Sequence, residues 1–326
     1  MKYDIFGLGN PLIDVITAVS EETMVELKLT KGSMNLVDQE RQQEILKACE
    51  GKESTEALGG SCGNSIVMIG QLGGKTAFTG CAGEDNFALI YEEELTANGV
   101  DSYLAAEEGV TGTSVILVTP DGERTMNTHL GRCQDLHSEQ LNLEAIADSS
   151  YLYIEGYLWD TPSQQEAVMT AVKHAKAKGV KISLSLSDPF CVNRNREAFQ
   201  LLLDDYVDLV FCNEDEGRQM TGEEDSDAVL QKLGASCNEV ALTLGSKGAK
   251  IKRGEEVYSI PSFPVTAVDT TGAGDSFAAG YLYGITQGFH PEVAGKIGSK
   301  AASIVVSQMG PRYEGNLRKA LEEVLP

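Results

Sequence analysis

An α/β fold, with a mostly parallel central sheet flanked by helices and a small β-sheet lid, is the architecture this sequence predicts. Three observations carry the prediction. Short β-rich runs alternate with stretches of helical periodicity along most of the chain. Two segments, 12–38 and 102–130, break that alternation, and no internal repeat, low-complexity tract or long linker divides the 326 residues. One folding unit with an appendage follows, and a chain of this length can bury a large core.

The strand-like runs are YDIFGLG (3–9), TAFTG (76–80), YLYIEG (151–156), KISLSL (181–186), VDLVFCN (207–213) and EVALTLG (239–245). Three helical stretches between and after them are well marked. Segment 84–99 stops at Gly99, segment 162–179 starts on Pro162 and stops at Gly179, and segment 290–310 is long and rich in small residues. Proline suits a first helical turn and glycine the residue just past the last. Strand, helix, strand at this spacing implies right-handed crossovers and a parallel sheet covered by helices. In the exceptional segments, TSVILV (113–118), the turn Pro120-Asp121-Gly122 and ERTMNTH (123–129) form a strand–turn–strand unit. LIDVITA (12–18) and SMNLV (33–37) are strand-like without an obvious parallel partner. Together they read as a lid layer, with edge strands of the main sheet as the alternative.

Lys+Arg 26 against Asp+Glu 49 leaves a net charge of −23, which excludes nucleic acid and anionic membrane as natural partners. Any anionic ligand must then be held by local amides and a few placed cations. The seven cysteines are scattered, with no C-x-x-C pair, so neither a zinc ribbon nor a redox dithiol is expected. MKYDIFGLGN has neither the apolar run nor the cleavage site of a signal peptide, and no stretch approaches a spanning helix. The expectation is a cytoplasmic protein with reduced thiols, acting on small molecules as a monomer or homodimer.

Two phosphate-binding patterns fail on inspection. GLGNPL (7–12) has Leu12 at the third glycine of a dinucleotide fingerprint and leads into a strand. GQLGGKT (70–76) has one residue too few for a phosphate loop and also precedes a strand. The run DTTGAGDSFAAG (269–280) does better. Gly272, Ala273 and Gly274 let successive amides converge at the mouth of a helix, an anion site by its unpaired donors and dipole. Asp275 beside it is a poor anion ligand and suits proton handling, as in activating a hydroxyl that attacks a phosphoryl group. From spacing alone, an N-capping Asp with glycines for close packing explains the run equally well.

Other candidates are weaker singly. GGSCGN (59–64) opens a helix placed at 65–72, where Ser61 and Asn64 offer directional hydrogen bonds; a plain loop-to-helix turn explains it as well. Asn213 and Glu216 close a strand and share a helical face that could hold hydrated Mg²⁺, although an acidic helix start is the commoner reason for such a run. Asp14, after GNPLI (9–13), suits a vicinal diol. Arg124 and Arg132 flank the second lid strand as candidate phosphate-facing charges or salt-bridge partners. His129, His137, His174 and His290 show no ligand spacing.

Taken together these motifs resemble the ribokinase/PfkB family of carbohydrate and nucleoside kinases along nearly the whole chain. DTTGAGDSFAAG is similar to its C-terminal signature, GGSCGNSIVMIGQLGGKTAFTGCAGEDNFA to its N-terminal one, and Asn213-x-x-Glu216 to its Asn-x-x-Glu motif. GNPLID, GGSCGN, SLSDPF (185–190), YVDLVFCNEDE (206–216) and ERTMNT (123–128) resemble the adenosine-kinase branch. The resemblance implies a ribokinase-like fold and ATP- and Mg²⁺-dependent phosphorylation of the 5′-hydroxyl of a ribonucleoside, with adenosine foremost. The alternatives are a small-sugar kinase for ribose or fructose, or a non-catalytic nucleoside-binding protein. It further implies Asp275 as catalytic base, Gly272, Ala273 and Gly274 as anion hole, and Arg124 reaching the transferring phosphoryl. Asn10, Asp14, Gly59, Gly60, Ser61 and Asn64 would bind the sugar and Phe190 the base. Asn213, Glu216, Thr243, Gly245 and Gly248 would lie at the ATP, with Glu216 on Mg²⁺ through water. Asp269 and Thr271 match positions that bind a monovalent cation such as K⁺ through their backbone. In one respect the chain departs from that branch: KGSMNLVD (31–38) offers Met34 and Asn35 near where the branch has a glutamine.

Overall fold

Apolar runs that stay buried along most of their length form the interior of the larger sheet, as strands covered by helices on both faces must. The computed structural model describes residues 1–313 and 315–326. The larger sheet has nine strands. In spatial order they are Glu256–Ile260, Ala249–Arg253, Glu239–Thr243, Leu209–Asn213, Lys181–Ser185, Ser149–Glu155, Tyr3–Leu8, Thr76–Thr79 and Val100–Ser102. The last seven run parallel; the first two are joined antiparallel at one edge. All six strand-like runs read from the sequence are in this sheet.

Helices Pro162–Lys178, Pro189–Asp205 and Ser226–Ser236 bury one sheet face through residues such as Val168, Phe199 and Leu230. Helices Ser61–Gln71, Ala273–Thr286 and Pro291–Val305 bury the other through Ile66, Phe277 and Ile297. The Pro162 helix is bounded as its sequence predicts: Thr161 caps the Gln164 amide, Pro162 opens the first turn and Gly179 ends it at φ 76°. Among the described residues no helix is long and apolar enough to cross a membrane.

A separate five-stranded sheet holds Met34–Leu36, Arg124–His129, Thr113–Val118, Ile13–Ala18 and Ser54–Leu58, in that order. The runs that broke the alternation therefore pair with one another and not with the edge of the main sheet. Alternation divides its faces. Val115 and Leu117 pack outward with Met24 and Ile45 of helices Glu21–Glu26 and Gln39–Ala48 and with Leu27 just past the first, while Ser114 and Ile116 face the larger body. Two boundaries differ from expectation. Residues 102–107 belong elsewhere: Val100–Ser102 closes an edge of the main sheet, and Ala105–Glu107 pairs with Cys81–Gly83. Ser54–Leu58 joins the small sheet beside Ile13–Ala18.

Strand Tyr3–Leu8 lies between Ser149–Glu155 and Thr76–Thr79, and the chain winds outward from it in both directions. Beyond the carboxyl ends of the strands at such a reversal, the connecting segments part and leave a crevice. The small sheet stands over that crevice.

Candidate active site

Two helix N-termini converge in the crevice. The first helix begins at Ser61, four residues before the predicted start, because Gly60 takes φ +84° as its N-cap. A side chain at Gly60 would meet the Asn10 carbonyl at 2.2 Å. Ser61 and Asn64 thereby fall on the first turn. The second helix begins at Ala273, after Gly272 at φ +70°. Neither glycine supplies a side-chain cap; the Cys62 amide goes to Glu155 and the Ala273 amide reaches the Thr270 carbonyl at 3.3 Å, which leaves the Gly274 amide among those open to other partners.

This start excludes one account of Asp275, which lies inside the first turn and does not cap. Its Oδ1 accepts the Ser61 hydroxyl at 2.6 Å and its Oδ2 the Asn64 side-chain amide at 2.9 Å, while Ser65 donates to its backbone carbonyl at 3.0 Å. Close packing explains Gly272, where a Cβ would lie 2.2 Å from the Pro311 carbonyl, but not Gly274, where it would meet nothing within 4 Å. The Gly274 backbone borders open cavity.

That cavity measures about 480 Å³ and is lined by Asn10, Asp14, Gly60, Ser61, Asn64, Arg124, Glu155, Asn213, Glu216 and residues 270–275. The volume lies in the range of small-molecule sites. The small sheet contributes alternate residues: Arg124, Met126 and Thr128 from one strand, Ser114 and Ile116 from the next, Met34 and Leu36 from a third. Asn10 Nδ2, Asn64 Oδ1 and Arg124 Nη2 are buried without a protein partner, and all three residues line the cavity. Buried polar atoms are rarely left so. Two donors and one acceptor are thus set for a polar guest.

Carboxylates dominate the electrostatics. Burial pushes Asp14 up to about 7, opposed by Arg124 and Arg312 and reinforced by Asp275 and Asp269. Burial likewise lifts Glu155 to about 7, against the amides of Cys62 and Asn10 that it accepts at 2.7 and 2.9 Å. Glu216 is lifted by burial to about 8. Burial also raises Asp275, less so because Ser61, Asn64 and Arg312 favour its charged form. Asp269 moves the other way: burial is outweighed by Arg124 and by the amides of Thr271 and Gly310.

The remaining candidates divide. Asn213 and Glu216 form a reciprocal capping box, with both Glu216 oxygens accepting from Asn213. Any cation there is suited to contact through water, and among the described residues no group of three or more His, Cys, Asp or Glu is arranged around a metal. Thr243 pairs in register with Asn213 beside the cavity; it, Gly245 and Gly248 are outside the lining. Gly59 carries no lining atom but packs against the Asp14 carboxylate, so closely that a Cβ there would lie 2.3 Å from Oδ1. Phe190 is 49% exposed on the first turn of its helix and outside the lining. Arg132 pairs with Asp135 away from the cavity. Thr271 lines the cavity, and its amide and hydroxyl are both given to the Asp269 carboxylate. Met34 faces the cavity, whereas Asn35 bonds within the small sheet to Ser33 and Asn127.

Sequence reasoning missed Glu155, Gln164 and Arg312. Glu155 ends an apolar strand at the ligand-bearing sheet edge, which was a usable signal. Gln164 donates to Asn10 Oδ1 at 2.6 Å, and Arg312 donates to the Leu58 carbonyl at 2.7 Å; neither position carries a local pattern.

Comparison with known proteins agrees with this geometry. The family model described as pfkB family carbohydrate kinase matches residues 29–317. Adenosine kinase 2 of Arabidopsis thaliana is 26% identical over 340 aligned positions, covering 96% of both chains. The crystal structure of adenosine kinase from Sinorhizobium meliloti superposes with a TM-score of 0.95 at 36% identity, covering 100% of both. A probable sugar kinase from Rhizobium etli gives 0.95 at 37%, covering 99% of this chain and 98% of that one. In sequence over most of its length, and in backbone over all of it, the chain belongs to the pfkB family of carbohydrate kinases, phosphotransferases that act on hydroxyl groups.

Proposed function

We propose that the protein transfers the γ-phosphoryl group of Mg·ATP to the 5′-hydroxyl of a ribonucleoside, adenosine first among them. The observation that carries the proposal is Asp275, held by Ser61 and Asn64 at the mouth of an uncapped helix inside the crevice. The relatives described as adenosine kinases support the choice of acceptor. So does the cavity, whose lining combines polar Asn10, Asp14 and Asn64 with apolar Met34, Leu36, Ile116 and Met126. A ribose ring satisfies the polar groups; only an acceptor carrying a base would also cover the apolar ones.

In this reading Asp14 accepts the two ring hydroxyls and Asn10 and Asn64 fix the ring with their free atoms. Gly59 and Gly60 bring backbone close to it. Asp275 takes the proton of the attacking hydroxyl. The amides of Gly272, Ala273 and Gly274 receive the charge that builds on the phosphoryl oxygens, aided by the helix dipole and the free Nη2 of Arg124. Asn213, Thr243, Gly245 and Gly248 border the nucleotide, and Glu216 would hold a bound Mg²⁺ through water. Such an ion would supply positive charge to the phosphates of the nucleotide. The Asp269 and Thr271 backbone is the place for a monovalent cation. The small sheet serves as a lid that excludes water.

Coupled ADP formation with adenosine, ribose and fructose tests the proposal. Adenosine should exceed ribose in kcat/KM by about 10²-fold or more, given the extra apolar contact. Faster turnover of a free sugar would make this a sugar kinase. Firm adenosine binding without turnover of any acceptor would make it a nucleoside-binding protein.

A further inference from the structure

Arg124 stands on the small sheet and Asp269 on the segment that leads into the Ala273 helix, and their side chains meet at 2.5 Å. Both are nearly buried, with side-chain exposures of 10% and 3%. Asp269 Oδ1 also accepts the amide and hydroxyl of Thr271, at 2.9 and 2.8 Å, and Oδ2 the amide of Gly310 at 2.8 Å. Among the described residues of strands Thr113–Val118 and Arg124–His129, the Arg124 bond is the side-chain bond that crosses to the larger body. Arg124 Nη2, on the same guanidinium, is buried without a partner.

We infer that Asp269 is a positioning residue. It latches the small sheet over the cavity by gripping one edge of the Arg124 guanidinium, and so presents the other edge to the transferring phosphoryl group. The division of labour follows from the chemistry of the fork: arginine presents several donors in one rigid plane, and a carboxylate can occupy one side while an anion occupies the other. Thr271, in the turn before Gly272, donates to the same carboxylate, and an asparagine oxygen at position 269 can still accept from it. Burial makes the pair asymmetric. Removing Asp269 leaves a buried cation without its partner, a costly state that opening of the sheet relieves. Removing Arg124 leaves Asp269 with three backbone and hydroxyl donors. The kinetic part of this inference rests on the phosphoryl-transfer reading; the latch itself does not.

Hydrogen exchange over residues 113–129 and steady-state kinetics with adenosine and ATP, applied to the same variants, test it. Asp269→Asn should exchange faster over 113–129 and lose about 10²-fold in kcat/KM, the scale of a misplaced catalytic group. In an Arg124→Gln background Asp269→Asn should cost little more, since both act through one guanidinium. Arg124→Lys should keep slow exchange, because its ammonium can hold Asp269, yet lose turnover, because no second edge remains. Unchanged exchange in Asp269→Asn, or losses that multiply with Arg124→Gln, would overturn the assignment. Should Asp269→Asn fail to fold, Arg124→Met against Arg124→Lys decides: fast against slow exchange supports the latch, and equal exchange overturns it. Should the wild-type protein turn over no acceptor, the functional reading fails and the exchange comparison still judges the latch.

Discussion

The Ser61 hydroxyl donates to Oδ1 of Asp275 at 2.6 Å across 214 positions of sequence, tying the first turns of two helices into one site. Asn64 completes the clamp on Oδ2. These bonds favour the ionised carboxylate, which burial disfavours, and so decide the pH at which Asp275 becomes a base. Ser61→Ala or Asn64→Ala should therefore raise its pKa further. A base acts only when ionised, so the acid limb of the kcat/KM profile should move to higher pH. An unmoved or lowered limb would detach Asp275 from that titration.

Removing the carboxylate itself separates chemistry from binding. Asp275→Asn keeps the shape of the side chain and one acceptor for Ser61 or Asn64, but cannot take a proton. The expected loss is about 10²–10⁴-fold in kcat, with little change in KM for the acceptor. Steady-state kinetics at saturating ATP would read it, and an undiminished kcat would refute the assignment.

Gly272 and Gly274 should respond oppositely to the same methyl group. Gly272 sits at φ +70° with the Pro311 backbone 2.2 Å from a Cβ position, so Gly272→Ala should cost about 1–3 kcal/mol of stability. At Gly274 a Cβ meets nothing within 4 Å, and alanine favours a helix. Gly274→Ala should leave Tm unchanged or slightly higher while kcat/KM falls roughly tenfold or more, because the methyl enters the space meant for phosphate. Thermal melts beside kinetics of both variants check the contrast.

What could be read from the sequence follows from the range of the interactions involved. The six main strands were legible because each buries a continuous apolar run, and the Pro162 helix because its stop signals are local. Ser54–Leu58 was not, since STEAL is an edge strand with an exposed start and no alternation. Both helices of the site start earlier than their apolar runs suggest. Glycines at φ +84° and +70° cap them in place of the Ser, Asp or Asn that marks a helix start in sequence. Asp14, Asn64 and Asp275 carry motif signals and line one cavity; Glu155 carries only its place at a strand end, and Arg312 carries none, because its partner comes from a distant segment. Phe190, implied by resemblance alone, stands half exposed at its helix start and outside the cavity lining.

The buried carboxylates set activity against stability. Asp14 keeps its proton in the folded protein up to about pH 7, whereas an unfolded Asp loses it near pH 4. Between those values the unfolded chain binds fewer protons, so stability falls as pH rises through the window, and the penalty is complete above about 7. Asp14→Asn removes that penalty without changing side-chain shape. At pH 8 its Tm should rise by roughly 2–4 °C, and the gain should shrink as pH falls toward 4. Acceptor binding should weaken at the same time. Glu155→Gln should not share the gain, although Glu155 is also lifted to about 7. Its two oxygens accept the Asn10 and Cys62 amides, and a glutamine has one acceptor for the two donors. The orphaned amide should cost about 1–3 kcal/mol and lower Tm. Melting curves of the two variants at pH 5 and pH 8 would expose an error in either sign.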